Sequence, residues 1–313
     1  MEAHAHYLSW MSQNELIFLC GEKVLNAILE ERQDAIYYGL IVDATLERFV
    51  EFLVFNAKTG KDITIEVLSV LEINQIPLED CRAQGYDNGS NMCGKVKGVK
   101  RRILEKNNQA LFSPCGAHSL NRISVNTAKI FPEVVIFFCN VESMYVFSRI
   151  VLQDAVLPIA KHYPRILKAL DYILQEMSTT LQPKIYSTVV GLKKYFSSFQ
   201  GLVMAVFWHK LLSCIDELNI IIQAKGISLE AEANLIKNLQ QEIQNLRDSW
   251  ADILQESRLV AQEMKLLPVL PEKSTRLHSI ATPDASEQST AEDKFETCVV
   301  YRVLDFFLQD LED

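Results

Sequence analysis

Two aspartates and a histidine hold the types and positions from which a reaction could be built. Asp43 closes the β-rich run Tyr37–Asp43, and Asp87 follows Cys81–Tyr86 in the turn Asp87-Asn88-Gly89. Carboxylates at the ends of neighbouring strands can hold one or two Mg²⁺ ions, the arrangement used for in-line phosphoryl displacement. His118 stands just past a second short run, Ala110–Cys115, where a ligand or an acid–base group would sit. The plainer readings are equally concrete. Asp-Asn-Gly favours a turn whose aspartate caps the helix that follows. A histidine at a helix start often caps or packs against the neighbouring strand.

Between these acids and His118 lie Lys95, Lys97, Lys100, Arg101, Arg102 and Lys106, six cations in twelve residues against Glu105 alone. In a chain of formal net charge −9 such a concentration is a local feature. Carried on a helix beside an acidic site, it could contact backbone phosphates without reading sequence. A solvated helix face is the bland alternative. No dinucleotide fingerprint, phosphate loop, zinc-protease motif or nucleophile elbow is present. His4 and His6 lack nearby cysteines and do not form a zinc finger. Cys81, Cys93 and Cys115 fit no zinc spacing and read as small buried thiols.

The elements needed to position these residues follow from periodicity. Apolar residues from Leu16 to Ile28 form a helical stripe within Glu15–Glu31. Tyr37–Asp43 and Arg48–Phe55 read as strands, and Asp62 is expected to cap a helix carrying Ile63, Val67, Leu68 and Leu71. Strand, acidic turn, basic helix, strand and helix start then make an α/β unit. Its ligands belong at the carboxyl ends of the strands. From Val125 onwards the pattern is almost wholly helical: Phe131–Val151, a buried helix Tyr195–Ile222 containing Trp208, and a heptad from Ile236 to Val260. Gly226 and Ser228 are expected as caps around that last boundary. The heptad suits a bundle helix packed on its neighbours, with a dimeric coiled coil as the alternative.

The bulk numbers bound the rest. At 313 residues, 49% hydrophobic and 23% charged, the chain can bury a large core and is globular. Its acidic balance argues against coating nucleic acid over the whole surface. Seven cysteines without a disulfide framework read as reduced, intracellular thiols. No signal peptide is visible, and the apolar runs are too short to span a bilayer. The expected organisation is α/β over 1–130, a helical region over 131–267, a linker or mobile loop over 268–292 and a last helix over 293–313.

The blocks YYGLIVDAT, CRAQGYDNGSNMCGKVKGVKRRILEKN and LFSPCGAHSLNRI, with GEKVLNAILEE near the start, resemble the hAT superfamily of DNA transposases. The branch they look like is that of the domesticated, MYM-type zinc-finger-like proteins, and FWHKLLSCIDELNIIIQAKGISLEAEANLI extends the likeness into the helical region. The resemblance implies a ribonuclease H-like fold with a helical insertion and a nuclear protein. It also implies a triad of acids binding divalent metal, Mg²⁺ among them, that cuts and joins DNA. By motif Asp43 matches the first acid and Asp87 the second, with Asn88, Asn91 and His118 beside them. Thr45-Leu46-Glu47 runs straight into the segment at Arg48, so one central strand is expected to be missing. The third acid and the family's dimerisation segment would be expected beyond Asp313, and the family's zinc finger ahead of Met1. The expectation is a transposase-derived protein with a degenerate, inactive core that keeps weak DNA or protein binding. The alternatives are a helical interaction scaffold, part of an active transposase completed by other segments, or a decayed gene product.

Overall fold

The computed structural model describes residues 9–42, 50, 58–148, 156–177, 181–223, 227–271 and 290–312. They form an α/β unit followed by an all-α unit, dividing between Ser119 and Leu120 rather than at residue 130. The chain is mostly helical, with one small parallel sheet.

The first unit opens with α1 (Trp10–Ala35), capped by Ser9, whose Oγ accepts the Ser12 N–H. Ile36 stops it with φ 62° and ψ −52°, and the Tyr37 N–H bonds back to the Ala35 carbonyl at 2.6 Å. That is a γ-turn of the rare, strained hand, imposed on a β-branched residue. Strand β1 (Tyr38–Val42) follows. Asp43, Thr45-Leu46-Glu47 and the strand expected over 48–55 lie outside the described residues, Val50 excepted.

Helix α2 (Gly60–Ile73) is capped by Thr59, not by Asp62 as the sequence suggested. Thr59 Oγ1 accepts the Asp62 N–H and its hydroxyl donates to the Asp62 carboxylate, so the acid completes the first turn from inside. Strand β2 (Cys81–Tyr86), the single turn α3 (Ser90–Cys93), α4 (Val99–Lys106) and β3 (Leu111–Pro114) complete the unit. Helix α5 (Gly116–Ile130) carries the chain out of it. The basic helix is shorter than expected. Gly98 precedes it, so Lys95 and Lys97 stand in the connection from α3.

The strand order is β1-β2-β3, all parallel. Tyr38 pairs with Cys81 but Gly39 pairs with Ala83, so Arg82 is an extra residue that corrects the facing of β2. Beyond it Leu40, Gln84 and Phe112 stand in one row, and Val42 beside Tyr86 in the next. This face packs on Ile63 and Val67 of α2 and on Val99 and Ile103 of α4. Its polar groups are paired. Gln84 Nε2 donates to the Ala110 carbonyl at 2.7 Å, and the Tyr86 hydroxyl donates to Gln84 Oε1. Buried Asn107 donates to the carbonyls of Leu78 and Cys81 at 2.7 and 2.8 Å and fixes the start of β2.

The second unit comprises α6 (Pro132–Ser148), α7 (Val156–Lys161), α8 (Tyr163–Glu176), α9 (Pro183–Phe196), α10 (Phe199–Ile222), α11 (Leu229–Asp248), α12 (Trp250–Glu263), α13 (Ala291–Phe295) and α14 (Tyr301–Glu312). A π-helical turn, Glu296–Val300, joins the last two. The buried helix expected from Tyr195 is broken at Ser197-Ser198, where Ser198 Oγ caps α10 through the Gly201 N–H. Ser228 caps α11 as expected, while Gly226 is outside the described residues. The heptad is interrupted at Ser249, and Leu239, Ile243, Leu246, Trp250 and Ile253 are all buried in the bundle core around α10. Its apolar seam is therefore spent within the chain. Of the linker expected over 268–292, residues 272–289 lie outside the described residues, and α13 and α14 pack into the same core through Phe295, Val303 and Phe307. Among the described residues, no single helix is long and apolar enough to cross a membrane.

Candidate nucleic-acid interface

The turn after β2 is built by side chains that bond to backbone. Asp87 Oδ1 accepts the Gly89 N–H at 3.0 Å, closing the turn that the sequence allowed as the plainer alternative. A Cβ at Gly89 would stand 2.7 Å from Asn91 Oδ1 and 3.0 Å from Asp87 Oδ1, so those two side chains would have to shift to admit one. Asn88 Nδ2 donates to Ser119 Oγ at 2.7 Å, and that hydroxyl donates to the Cys115 carbonyl at 2.9 Å. The Cys115 N–H bonds to the Tyr86 carbonyl, continuing the β2–β3 pairing into the start of α5. Thus Asp87 and Asn88 sit at the carboxyl end of the sheet, tied to the first turn of α5. His118 lies on that turn, one residue before Ser119, and is exposed.

Asp43, the proposed partner of Asp87, is outside the described residues. Among the described residues no group of three His, Cys, Asp or Glu side chains stands close enough together to hold a metal ion. Of the two aspartates, Asp87 is the one whose surroundings are described, and one of its carboxylate oxygens accepts the Gly89 N–H. The nearby Cys93 thiol lies 3.7–3.8 Å from the Asp87 and Gly89 carbonyls and Asn88 Oδ1, a weak donor over the turn. Cys81, at the other end of β2, is fully buried, and burial pushes its thiol upward in pKa. That thiol is structural.

The cations are arranged by two glycines, Gly60 and Gly98. A Cβ on Gly60 would lie 2.5 Å from the Lys97 carbonyl and 2.6 Å from that of Asn91, and one on Gly98 would meet the Gly94 backbone at 2.5 Å. Only glycine lets the start of α2 press against residues 91–98. The same approach brings Lys58 and Lys61 beside the basic run, and Asn91 Nδ2 donates to the Lys58 carbonyl at 3.4 Å. Both lysines are exposed. Their signal in the sequence was the turn Lys-Thr-Gly-Lys, which reads as a loop until the fold places it.

The six cations singled out from the sequence do not act alike. Lys100 Nζ lies 4.4 Å above the Phe112 ring, and Arg101 pairs with Glu105 at 2.9 Å along the helix. Arg102 Nε donates to the Lys97 carbonyl at 3.2 Å, bracing the loop before its own helix. Lys95, Lys97 and Lys106 are exposed and have no carboxylate partner among the described residues. Val99 and Ile103 anchor the opposite side of α4 in the core. The result is a patch of Lys58, Lys61, Lys95, Lys97 and Arg102, held on a rigid base and offset locally by Asp62. Such a patch can neutralise phosphates on a polyanion. Compared with protein-family models, curated proteins and solved structures, the chain matches none of them.

Proposed function

We propose that the chain is a transposase-derived protein of the hAT kind whose ribonuclease H-like core holds nucleic acid by its phosphate backbone and does not cut it. The observation that supports binding is the convergence of Lys58 and Lys61 with Lys95, Lys97 and Arg102 across the Gly60–Gly98 contact. Support for the loss of cutting comes from Asp87, whose carboxylate serves as the acceptor that shapes its own turn. A nuclear location goes with this reading.

The test is binding of a labelled DNA duplex by the full chain over a range of salt. With four or five phosphates neutralised, log K against log salt should fall with a slope of about −4. Lys58→Glu with Lys61→Glu, and separately Lys95→Glu with Lys97→Glu, should each weaken binding about tenfold or more and flatten that slope. Affinity that is indifferent to salt, or to both pairs of reversals, excludes the patch as the interface. Incubating the same duplex with Mg²⁺ or Mn²⁺ addresses cutting. Nicking that disappears in Asp87→Ala would make the protein an enzyme and overturn that half of the reading.

A further inference from the structure

Cations gather a second time in this acidic chain. Over residues 156–196, Lys161, Arg165, Lys168, Lys184, Lys193 and Lys194 stand against Asp171 and Glu176 alone. Helix α8 turns Tyr163, Leu167 and Leu170 into the core. Arg165, Lys168 and Tyr172 follow one another by three and four residues on the opposite side, and all three are exposed. Lys161, at the end of α7, is exposed one turn earlier. At 1.5 Å of rise per residue, Arg165 and Lys168 are about 4.5 Å apart along the axis, and Tyr172 lies about 6 Å further on. Those steps are of the order of the spacing between successive nucleotides of one strand.

Helix α9 carries the same residue types in reverse order. It buries Val189, Leu192 and Phe196 and exposes Tyr186, Val190 and Lys194 at steps of four. Lys193 fixes how the two helices lie together. Its Nζ stands 2.5 Å from Asp171 Oδ2 and 3.5 Å from the Leu167 carbonyl, so the last turn of α9 lies beside the middle of α8 and the pair is antiparallel. The cations Arg165, Lys168 and Lys194 therefore share one end of the outer surface, and the rings of Tyr172 and Tyr186 share the other. Lys193 spends its charge on Asp171. Arg165, Lys168 and Lys194 pair with no carboxylate among the described residues. Glu176, the acid on this side of α8, lies past Tyr172 at the end of the helix.

We propose that this outer surface of α8 and α9 binds single-stranded nucleic acid, with Arg165, Lys168 and Lys194 on its phosphates and Tyr172 stacked on an unpaired base. Tyr172 is 61% exposed, so its ring is free to receive one. Single-strand surfaces combine cations that track the backbone with rings that take bases of any identity, because every base has a π-face. An acidic peptide would engage the cations alone. A duplex keeps its bases stacked on one another and offers the ring nothing. The surface shares no residue with the Lys58–Lys97 patch of the first unit, and its binding does not depend on that patch.

Fluorescence anisotropy of the full chain with labelled single-stranded DNA and RNA of one sequence tests this. Every chain used carries Lys58→Gln, Lys61→Gln, Lys95→Gln and Lys97→Gln, which neutralise the first unit's patch. That background chain should still bind at least one of the two strands, more weakly as salt is added, and the tighter of the two names the polymer. Arg165→Glu with Lys168→Glu should cost about tenfold or more. Tyr172→Ala should cost roughly fivefold on the strand and nothing measurable on a duplex, while Tyr172→Phe, which keeps the ring, should bind as the background chain does. Circular dichroism should be the same throughout, because every altered side chain is exposed. A folded background chain that binds neither strand overturns the proposal, and so does binding indifferent to the Arg165 and Lys168 reversals. An equal loss on strand and duplex in Tyr172→Ala overturns the assignment to single strands. Polyglutamate that displaces the strand at lower concentration than unlabelled strand does would make the partner an acidic peptide and overturn it as well.

Discussion

At the scale of single residues, positions near the ends of the first unit's elements are governed by backbone demands that composition does not announce. Asp87 was legible as a turn residue and as a carboxylate, and both are true of its position at the end of β2. Lys58 and Lys61 were not legible as part of a basic patch, because only the missing Cβ atoms of Gly60 and Gly98 bring them there. Ile36 was invisible too, since nothing in its side chain predicts a positive φ. Its γ-turn costs of the order of 1–3 kcal/mol in a β-branched residue. Ile36→Gly should therefore stabilise the first unit by about 1 kcal/mol, after allowing for the extra freedom glycine has when unfolded. Ile36→Val, equally branched, should gain nothing. Denaturant midpoints of the two variants against the parent chain decide it, and a loss of stability in Ile36→Gly would show that the isoleucine side chain contributes more than its backbone costs.

At the scale of elements, periodicity found the helices and strands but not what each one packs on. The apolar stripe within Glu15–Glu31 gave α1, and the β-rich runs gave β1 and β3, within a few residues at each end. The basic helix was read as too long because charge, the signal followed there, has no bearing on where Gly98 lets a helix begin. The Ile236–Val260 heptad illustrates the larger ambiguity, since a seam of this period fits a neighbouring helix of the same chain as well as one of another. The structure places it against α10, with Ile243 and Ile253 fully buried. Ile243→Asp should for that reason unfold the helical unit and leave no folded monomer to observe. A carboxylate buried without a partner at such a position costs roughly 3–5 kcal/mol, enough to take most of the stability of a typical domain. Circular dichroism and a thermal melt check it, and a well-folded, newly monomeric Ile243→Asp protein would return the seam to an intermolecular role.

At the scale of the whole molecule, the change from mixed to helical pattern near Val125 marked two parts. It did so because strands alternate in small and polar residues while the later helices are continuous in large apolar ones. The units differ sharply in the core each one owns. Among the described residues, the main hydrophobic cluster of the first unit holds eight buried side chains, from Ile63 to Ala110, and that of the second holds 38 centred on α10. At roughly 1.5–3 kcal/mol for each large apolar side chain fully buried, the difference far outweighs anything surface pairs contribute. The units should accordingly unfold in two steps, the sheet first. In a urea titration, Trp208 and Trp250 report on the helical unit because both are buried there, and Trp10 reports on the first because it lies on α1. The Trp10 signal should change at a lower urea concentration, and Trp10→Phe should remove the early step from the fluorescence while leaving the late one in place. A fragment spanning Gly116–Asp313, which keeps α5 whole, should retain the late transition with its midpoint close to that in the full chain. Coincident transitions for all three tryptophans, or a fragment that fails to unfold cooperatively, would mean that the small sheet and the large bundle stabilise each other and stand or fall as one domain.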